Sequence, residues 1–147
     1  MLFTIYEIAN WFLAKESMTH KKLQKLCYYA QSWFLANHDE PLVINRFEAW
    51  IHGPVCPDLY TQYKDYGWAK IPKINNDLCT LEPSIQNFLQ EVWNTYGSYC
   101  DFELENISKS EYPWQHAREN TPASHYSRNP ISWTDMQEYY KNRRENS

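Results

Sequence analysis

The stretch from Thr19 to Asn37 constrains the fold more than any other part of the chain. Thr19 is a natural N-cap, and Leu23, Leu26, Cys27, Ala30 and Phe34 follow at helical spacing. That spacing lays one apolar stripe along a long helix, and other elements must cover it. Lys25, Tyr28, Tyr29 and Gln31 flank the stripe. An earlier helix is signalled by Thr4 with Glu7 three residues on, the pattern of a capping box. Ile5, Ile8, Trp11, Phe12 and Lys15 give its period, with an end expected near Ser17. Two helices with a short connection predict an antiparallel helical hairpin.

The chain then changes character. Pro41 to Ile44 is a short apolar run, and Arg46 to Ile51 alternates. Phe47, Ala49 and Ile51 fall on one face, Glu48, Trp50 and His52 on the other. Gly53-Pro54 is expected to break this strand in a tight turn. Pro57 suits the first turn of a third helix, carrying Leu59, Tyr60 and Tyr63 and ending at Gly67. A loop with Pro72, Asn75, Asn76 and Asp77 follows. Pro83 opens a helix with Ile85, Phe88, Leu89, Val92 and Trp93 inside, for which Gly97 is the natural stop. Asp101 is read as the cap of a short helix containing Leu104 and Ile107. Pro113 breaks the chain before a helical turn from Trp114 to Arg118, and residues 121–130 read as a loop. Ser132 caps a last helix with Trp133, Met136 and Tyr140, and residues 142–147 are expected to fray. The sum is mainly α: a compact single-domain helical bundle, with a small β-hairpin or extended flap between its second and third helices. The domain is placed at residues 1–140, with a polar tail at 141–147.

Composition narrows the function classes. A chain of 147 residues suits one domain, and its 17% aromatic content excludes intrinsic disorder. Fourteen basic against eighteen acidic residues give a net charge of −4, which argues against sequence-independent nucleic-acid binding. With 3 glycines, neither a Rossmann nor a P-loop signature appears. The apolar runs, such as Trp11 to Ala14, are too short for a membrane span, and no secretory leader is read at the N-terminus. A cytoplasmic location is expected. Cys27, Cys56, Cys79 and Cys100 lie more than twenty residues apart, without CxxC spacing, and are read as reduced and structural. The five histidines form no HxH or HExxH pattern, so no metal site is assigned.

Three constellations have both a functional and a structural reading. Lys25, Tyr28, Tyr29 and Gln31 are either part of a partner-binding face or buried, with the tyrosine hydroxyls bonded to the next helix. Glu48 and His52, with Glu111 beside Trp114, make either an acid/base pair of a small hydrolase or a buried network. In that network, Glu48 or Glu111 would pair with Lys25 or Arg118. No nucleophile, metal set or phosphate loop accompanies these residues, which favours the network. Lys21, Lys22 and Lys25, like the tail residues Lys141, Arg143 and Arg144, read as solvated charge. Among the seven tryptophans, Trp93 is expected in the core, and Trp68, after Gly67, is expected to be a partly exposed binding anchor.

The ordered motifs resemble a known family. Lys22 to Gln31 reads KLQKLCYYAQ, followed by Trp33, Phe34 and Leu35, then Pro41-Leu42. Phe47 to Pro54 reads FEAWIHGP, followed by Val55, Pro57, Tyr60 and Tyr66-Gly67. Leu104, Ser108, Glu111, Pro113, Trp114, Ala117-Arg118, Ile131-Ser132, Met136 and Tyr139-Tyr140 complete the set. This is similar to the Panacea domain, also called SocA-like and often described as phage-associated, over about Thr4 to Tyr140. Cys27 stands where the family usually has an aliphatic residue, and Cys56 where a small or apolar one is common.

The resemblance implies an antitoxin that binds and neutralises a cognate toxin, not an enzyme, and that needs no cofactor. One branch of the family delivers its toxin to a ClpX-type protease. Some relatives carry an added DNA-binding domain, for which this chain has no room, so transcriptional autoregulation is not expected. A phage-encoded modulator of a host protein is the alternative. The candidate partner-binding residues are Lys25, Tyr28, Tyr29, Glu48, Trp50, His52, Trp68, Glu111 and Trp114.

Overall fold

The computed structural model describes residues 2–75 and 79–146. The expected loop residues Asn76 and Asp77, and the first and last residues of the domain and tail, lie outside them. Helix α1 (Ile5–Leu13) opens with the capping box: the Glu7 amide donates to Thr4 Oγ1 and the Thr4 amide to Glu7 Oε1, both at 3.1 Å. It ends at Leu13, short of the expected Ser17, because the chain leaves the helix to bridge residue 71. The Ile71 amide donates to the Met18 carbonyl at 2.7 Å, and Ser17 Oγ donates to the Ile71 carbonyl at 2.6 Å.

Helix α2 (His20–His38) starts at its Thr19 cap and forms the centre of the molecule. It packs against α1, the third strand-following helix α3 (Pro57–Tyr63), α4 (Pro83–Tyr96), α5 (Asp101–Lys109) and α7 (Trp133–Glu145). The expectation of one buried stripe with polar flanks is corrected here, since every residue from 22 to 32 is buried. Such a helix is tolerable only if its polar side chains find partners inside. Gln24 and Gln31, two turns apart, act as surrogate peptide groups. Gln24 Oε1 accepts from the Cys56 amide at 2.8 Å while its Nε2 donates to the Cys56 carbonyl at 3.1 Å. Gln31 Oε1 accepts from the Leu42 and Val43 amides, and its Nε2 donates to the Val43 carbonyl, all within 3.0 Å.

These clamps hold the extended segment as a two-stranded antiparallel hairpin, β1 (Glu48–Trp50) and β2 (Gly53–Val55). The expected break at Gly53-Pro54 is instead the return strand, because the turn is made one step earlier by Ile51 and His52. Gly53 sits at φ +113°, where a Cβ would lie 2.9 Å from Lys25 Cε. On the other edge of β1, the Ala49 amide donates to the Asn129 carbonyl and the Ile131 amide to the Phe47 carbonyl, each at 2.8 Å.

The lysines expected in solvent are largely buried. Lys22 donates to the Gly97 carbonyl at the end of α4, at 2.7 Å, and lies over the Trp93 ring. Gly97 itself is right-handed, so it does not serve as a left-handed stop. Glycine is needed because a Cβ there would come within 2.6 Å of the Trp93 ring. The last helix also departs from expectation. It runs through Glu145 rather than fraying from Asn142, since Arg144 donates to the Ala36 carbonyl and Asn37 Oδ1 at the end of α2. Lys141 and Gln137 reach Asp39, the left-handed residue that ends α2. These donors complement the negative end of the helix dipole.

Glu111 precedes α6 (Tyr112–Ala117) and ties three elements together. Its Oε1 accepts from the hydroxyls of Tyr29 and Tyr140, both at 2.7 Å. Tyr29 also stacks on Tyr96, with centroids 3.9 Å apart. Tyr28 is equally buried, and its hydroxyl finds no hydrogen bond among the described residues. Burial raises the Glu111 carboxyl above the ordinary range, so the folded state keeps a proton that the unfolded chain has released. Stability from this group therefore falls as pH rises from the ordinary carboxyl range through the raised value. Glu111→Ala should lower stability by about 2–4 kcal/mol by orphaning two buried hydroxyls. Glu111→Gln should keep an acceptor and flatten the pH slope; both effects are read from denaturant titrations at pH 5 and pH 8.

Candidate functional site

A cavity of about 370 Å³ opens where the start of α2 meets the hairpin, α3 and the turn after it. Its floor is Lys25 and its walls include Gln24 and Val55. Trp50 and Tyr60 make an edge-on pair, with centroids 4.9 Å apart. Trp68 and Tyr126 stand at the rim, 86% and 85% exposed. What distinguishes these two rings from the other exposed aromatics is that both stand at the mouth of one cavity. A second cavity, of about 290 Å³, shares Trp50, Tyr60, Lys64 and Tyr126 with the first and continues it toward Arg128. The two form one groove.

The candidate residues separate cleanly. Lys25, Trp50, His52 and Trp68 line this cavity together. Tyr28 and Tyr29 are wholly buried in the core, and Glu111 is buried beneath α6, so these three have no surface to offer a partner. Trp114 is 7% exposed, and its indole N–H donates to the Trp50 carbonyl at 2.9 Å, which fixes the hairpin from below. Glu48 accepts from the Trp50 indole at 2.8 Å and from Arg128 at 3.2 Å, and so orients one wall without lining it. The hydrolase arrangement is not assembled: no hydrogen bond links Glu48, His52 and Glu111 among the described residues, and each holds a different partner. His52 pairs with Glu105 at 3.2 Å. The network pairing expected for Arg118 is corrected too. Its guanidinium bonds to the carbonyls of Ala49, Pro122 and His125, and not to a carboxylate.

Sequence reading missed His20, Tyr60, Lys64, Asp101 and Tyr126 as cavity residues. Lys64, Asp101 and Tyr126 carry no periodic signal, because the elements holding them meet only in the folded chain.

The electrostatics centre on Lys25. It is 1% exposed, and none of its hydrogen bonds or ion pairs is found among the described residues. Burial first, and then the like charge of Lys21, pull its ammonium down to about 7, against the opposing pull of Glu105 and Asp101. Glu105 is committed to Lys21, and also pairs with His52 and with Lys109 at 3.4 Å. Asp101 Oδ2 accepts from the Thr19 hydroxyl at 3.0 Å. His20, half-buried in the same cavity, has its Nδ1 without a partner among the described residues. Between about pH 7 and the ordinary lysine range, the unfolded chain holds a proton that folded Lys25 lacks. Stability from Lys25 thus rises with pH across that window, and the full penalty of burying its charge is present below it. Lys25→Met should stabilise the protein by roughly 1–4 kcal/mol at pH 6, with the gain shrinking as pH approaches the ordinary lysine value. Thermal unfolding at pH 6 and pH 9 measures this.

Among the described residues, no group of three or more histidine, cysteine, aspartate or glutamate side chains is placed to hold a metal ion. No helix of the described residues is long and apolar enough to cross a membrane. The four cysteines are unpaired, with Cys27 and Cys56 buried, Cys79 half-buried and Cys100 exposed. No solved structure matches the chain. Among curated proteins, it is similar to Antitoxin SocA of Caulobacter vibrioides (strain NA1000 / CB15N), 38% identical over 65 residues. That match covers 41% of this chain and 35% of the relative, so the chain aligns with about a third of that protein's length. The sequence profile of the antitoxin SocA-like Panacea domain matches residues 23–115, which takes in the central helix from Leu23 onward, both strands and the whole cavity except Thr19, His20, Lys21 and Tyr126. The chain belongs to the SocA-like Panacea domain family.

Proposed function

We propose that this protein is an antitoxin that neutralises a cognate toxin in the cytoplasm by protein–protein binding, and that the aromatic-rimmed groove is its contact surface. Family membership supports the antitoxin role. The observation that carries the choice of surface is the pair of exposed rings, Trp68 and Tyr126, flanking a cavity that holds Lys25. Tryptophan and tyrosine supply large contact area at low entropic cost, and they dominate measured binding hot spots. The module extends beyond the matched residues to about 1–140, since α1 and α7 cover α2 on faces that would otherwise meet water. Helical packing through Glu145 extends it further still. Delivery of the toxin to a ClpX-type protease is the second step that the family likeness suggests, and it is separable by experiment.

The test is growth of cells expressing the protein encoded next to this chain, with and without it. The neighbour alone should arrest growth. Co-expression should restore growth, and the two proteins should co-purify. Trp68→Ala or Tyr126→Ala should weaken the complex tenfold or more, as loss of a central aromatic anchor does, without altering thermal stability. Rescue that disappears in cells lacking the protease assigns the adaptor route, and rescue that persists assigns sequestration. A harmless neighbour, with this chain instead retaining a host protein through the same groove, replaces the antitoxin reading with that of a host modulator.

A further inference from the structure

We propose that the cavity seats a carboxylate carried by the partner, an acidic side chain on the toxin surface, with Lys25 as its counter-ion. This rests on the toxin-binding reading above and names the chemistry that the groove recognises. Lys25 lies a turn and a half into α2 and is 1% exposed, with no hydrogen bond or close ion pair to it among the described residues; Glu105 and Asp101 act on it only through space. Buried lysines are almost always paired, and one that is not lowers stability without any compensating contact inside the chain. The fold accommodates it deliberately: Gly53 at φ +113° leaves the room that any Cβ would take from Lys25 Cε and Nζ. His20, with its unpartnered Nδ1, faces the same space.

The charge around the seat selects a single negative group over a phosphate. From α2 it is faced by His20 and Lys21, from the hairpin by His52, from the turn after α3 by Lys64, and from α5 by Asp101 and Glu105. Lys109 adds a further cation from α5; Glu105 is shared among Lys21, His52 and Lys109, and it and Asp101 act on Lys25 only through space. The cation at the floor that has no ion-pair partner of its own among the described residues is the Lys25 ammonium, which matches one carboxylate. A dianion entering the same space would meet Asp101 and the charge of Glu105 behind the wall. The rings of Trp50, Tyr60, Trp68 and Tyr126 would exclude water around the arriving side chain, and this strengthens the ion pair.

The experiment uses the whole chain and three probes: N-acetylglutamate N-methylamide, its glutamine counterpart and inorganic phosphate. Binding is followed by tryptophan fluorescence and by the NMR titration of Lys25. The glutamate probe should bind at least tenfold more tightly than the glutamine probe, and should move the Lys25 midpoint upward by about one pH unit or more. Lys25→Met should abolish the difference between the two probes. Trp68→Ala should weaken the glutamate probe and leave the free Lys25 midpoint in place, which keeps the test valid should the Lys25 variant fold poorly. Equal binding of the two amide probes overturns the proposal, as does the absence of any Lys25 shift at tens of millimolar. Lys25-dependent binding of phosphate without glutamate also overturns it and assigns a phosphoryl ligand. These measurements need no toxin, so their failure beside intact growth rescue removes the carboxylate seat and leaves the antitoxin reading standing. Probe binding beside failed rescue overturns the toxin as the source of the carboxylate.

Discussion

A nineteen-residue helix buried from Lys22 to Ser32 on every side forces each polar group it carries to find a partner within the protein, and those partners arrange the rest of the molecule. Gln24 grips the backbone of Cys56 and so fixes where the hairpin ends and α3 begins. Gln31 grips residues 42 and 43 and fixes where the extended segment leaves the helix. Lys22 closes the end of α4, and Tyr29 reaches Glu111 to bind α7 through Tyr140. Lys25 and the hydroxyls of Tyr28 and Ser32 are the exceptions among the described residues, and the site lies where Lys25 meets the cavity.

The KLQKLCYYAQ and GPV motifs acquire physical meaning from this arrangement. In the first motif Lys22, Gln24, Tyr29 and Gln31 each complete the hydrogen bonding of a different segment. The glycine of the second lies against the stem of Lys25, so the two motifs are the two sides of one contact. An aliphatic residue at Cys27 or a small one at Cys56 would serve the same packing, since both thiols are buried and raised by burial well out of their reactive range.

Helix identity was legible from sequence because caps and apolar period are local: Thr4, Thr19 and Ser132 cap as their spacing predicts, and Pro57 and Pro83 open helices. Burial of Tyr28, Tyr29 and Glu111 was one of two readings open from sequence, and the partners that accompany it were not legible. Period analysis assigns Lys22, Lys25 and Gln31 to flanks, and only the positions of distant segments turn those flanks inward. The return strand was missed because glycine and proline usually punctuate strands, whereas here Gly53 follows a two-residue turn and Pro54 needs no ladder donor. At the site, Trp68 was readable from its place after Gly67. Tyr126 was not, since its loop is brought to the hairpin by contacts distant in sequence, among them Asn129 and Ile131 with residues 47–49 and Arg128 with Glu48.

That last contact bears on how the protein meets others. Residues 129–131 occupy the outer side of β1, and β2 is buried along its length, with Pro54 lacking an amide. The small sheet is therefore closed to strand addition, the commonest route by which an exposed β-edge captures a foreign chain or nucleates self-association. Selectivity among partners must then come from side-chain shape and charge alone. Substitutions in the loops around the groove can change such a surface without disturbing any backbone pairing of the sheet.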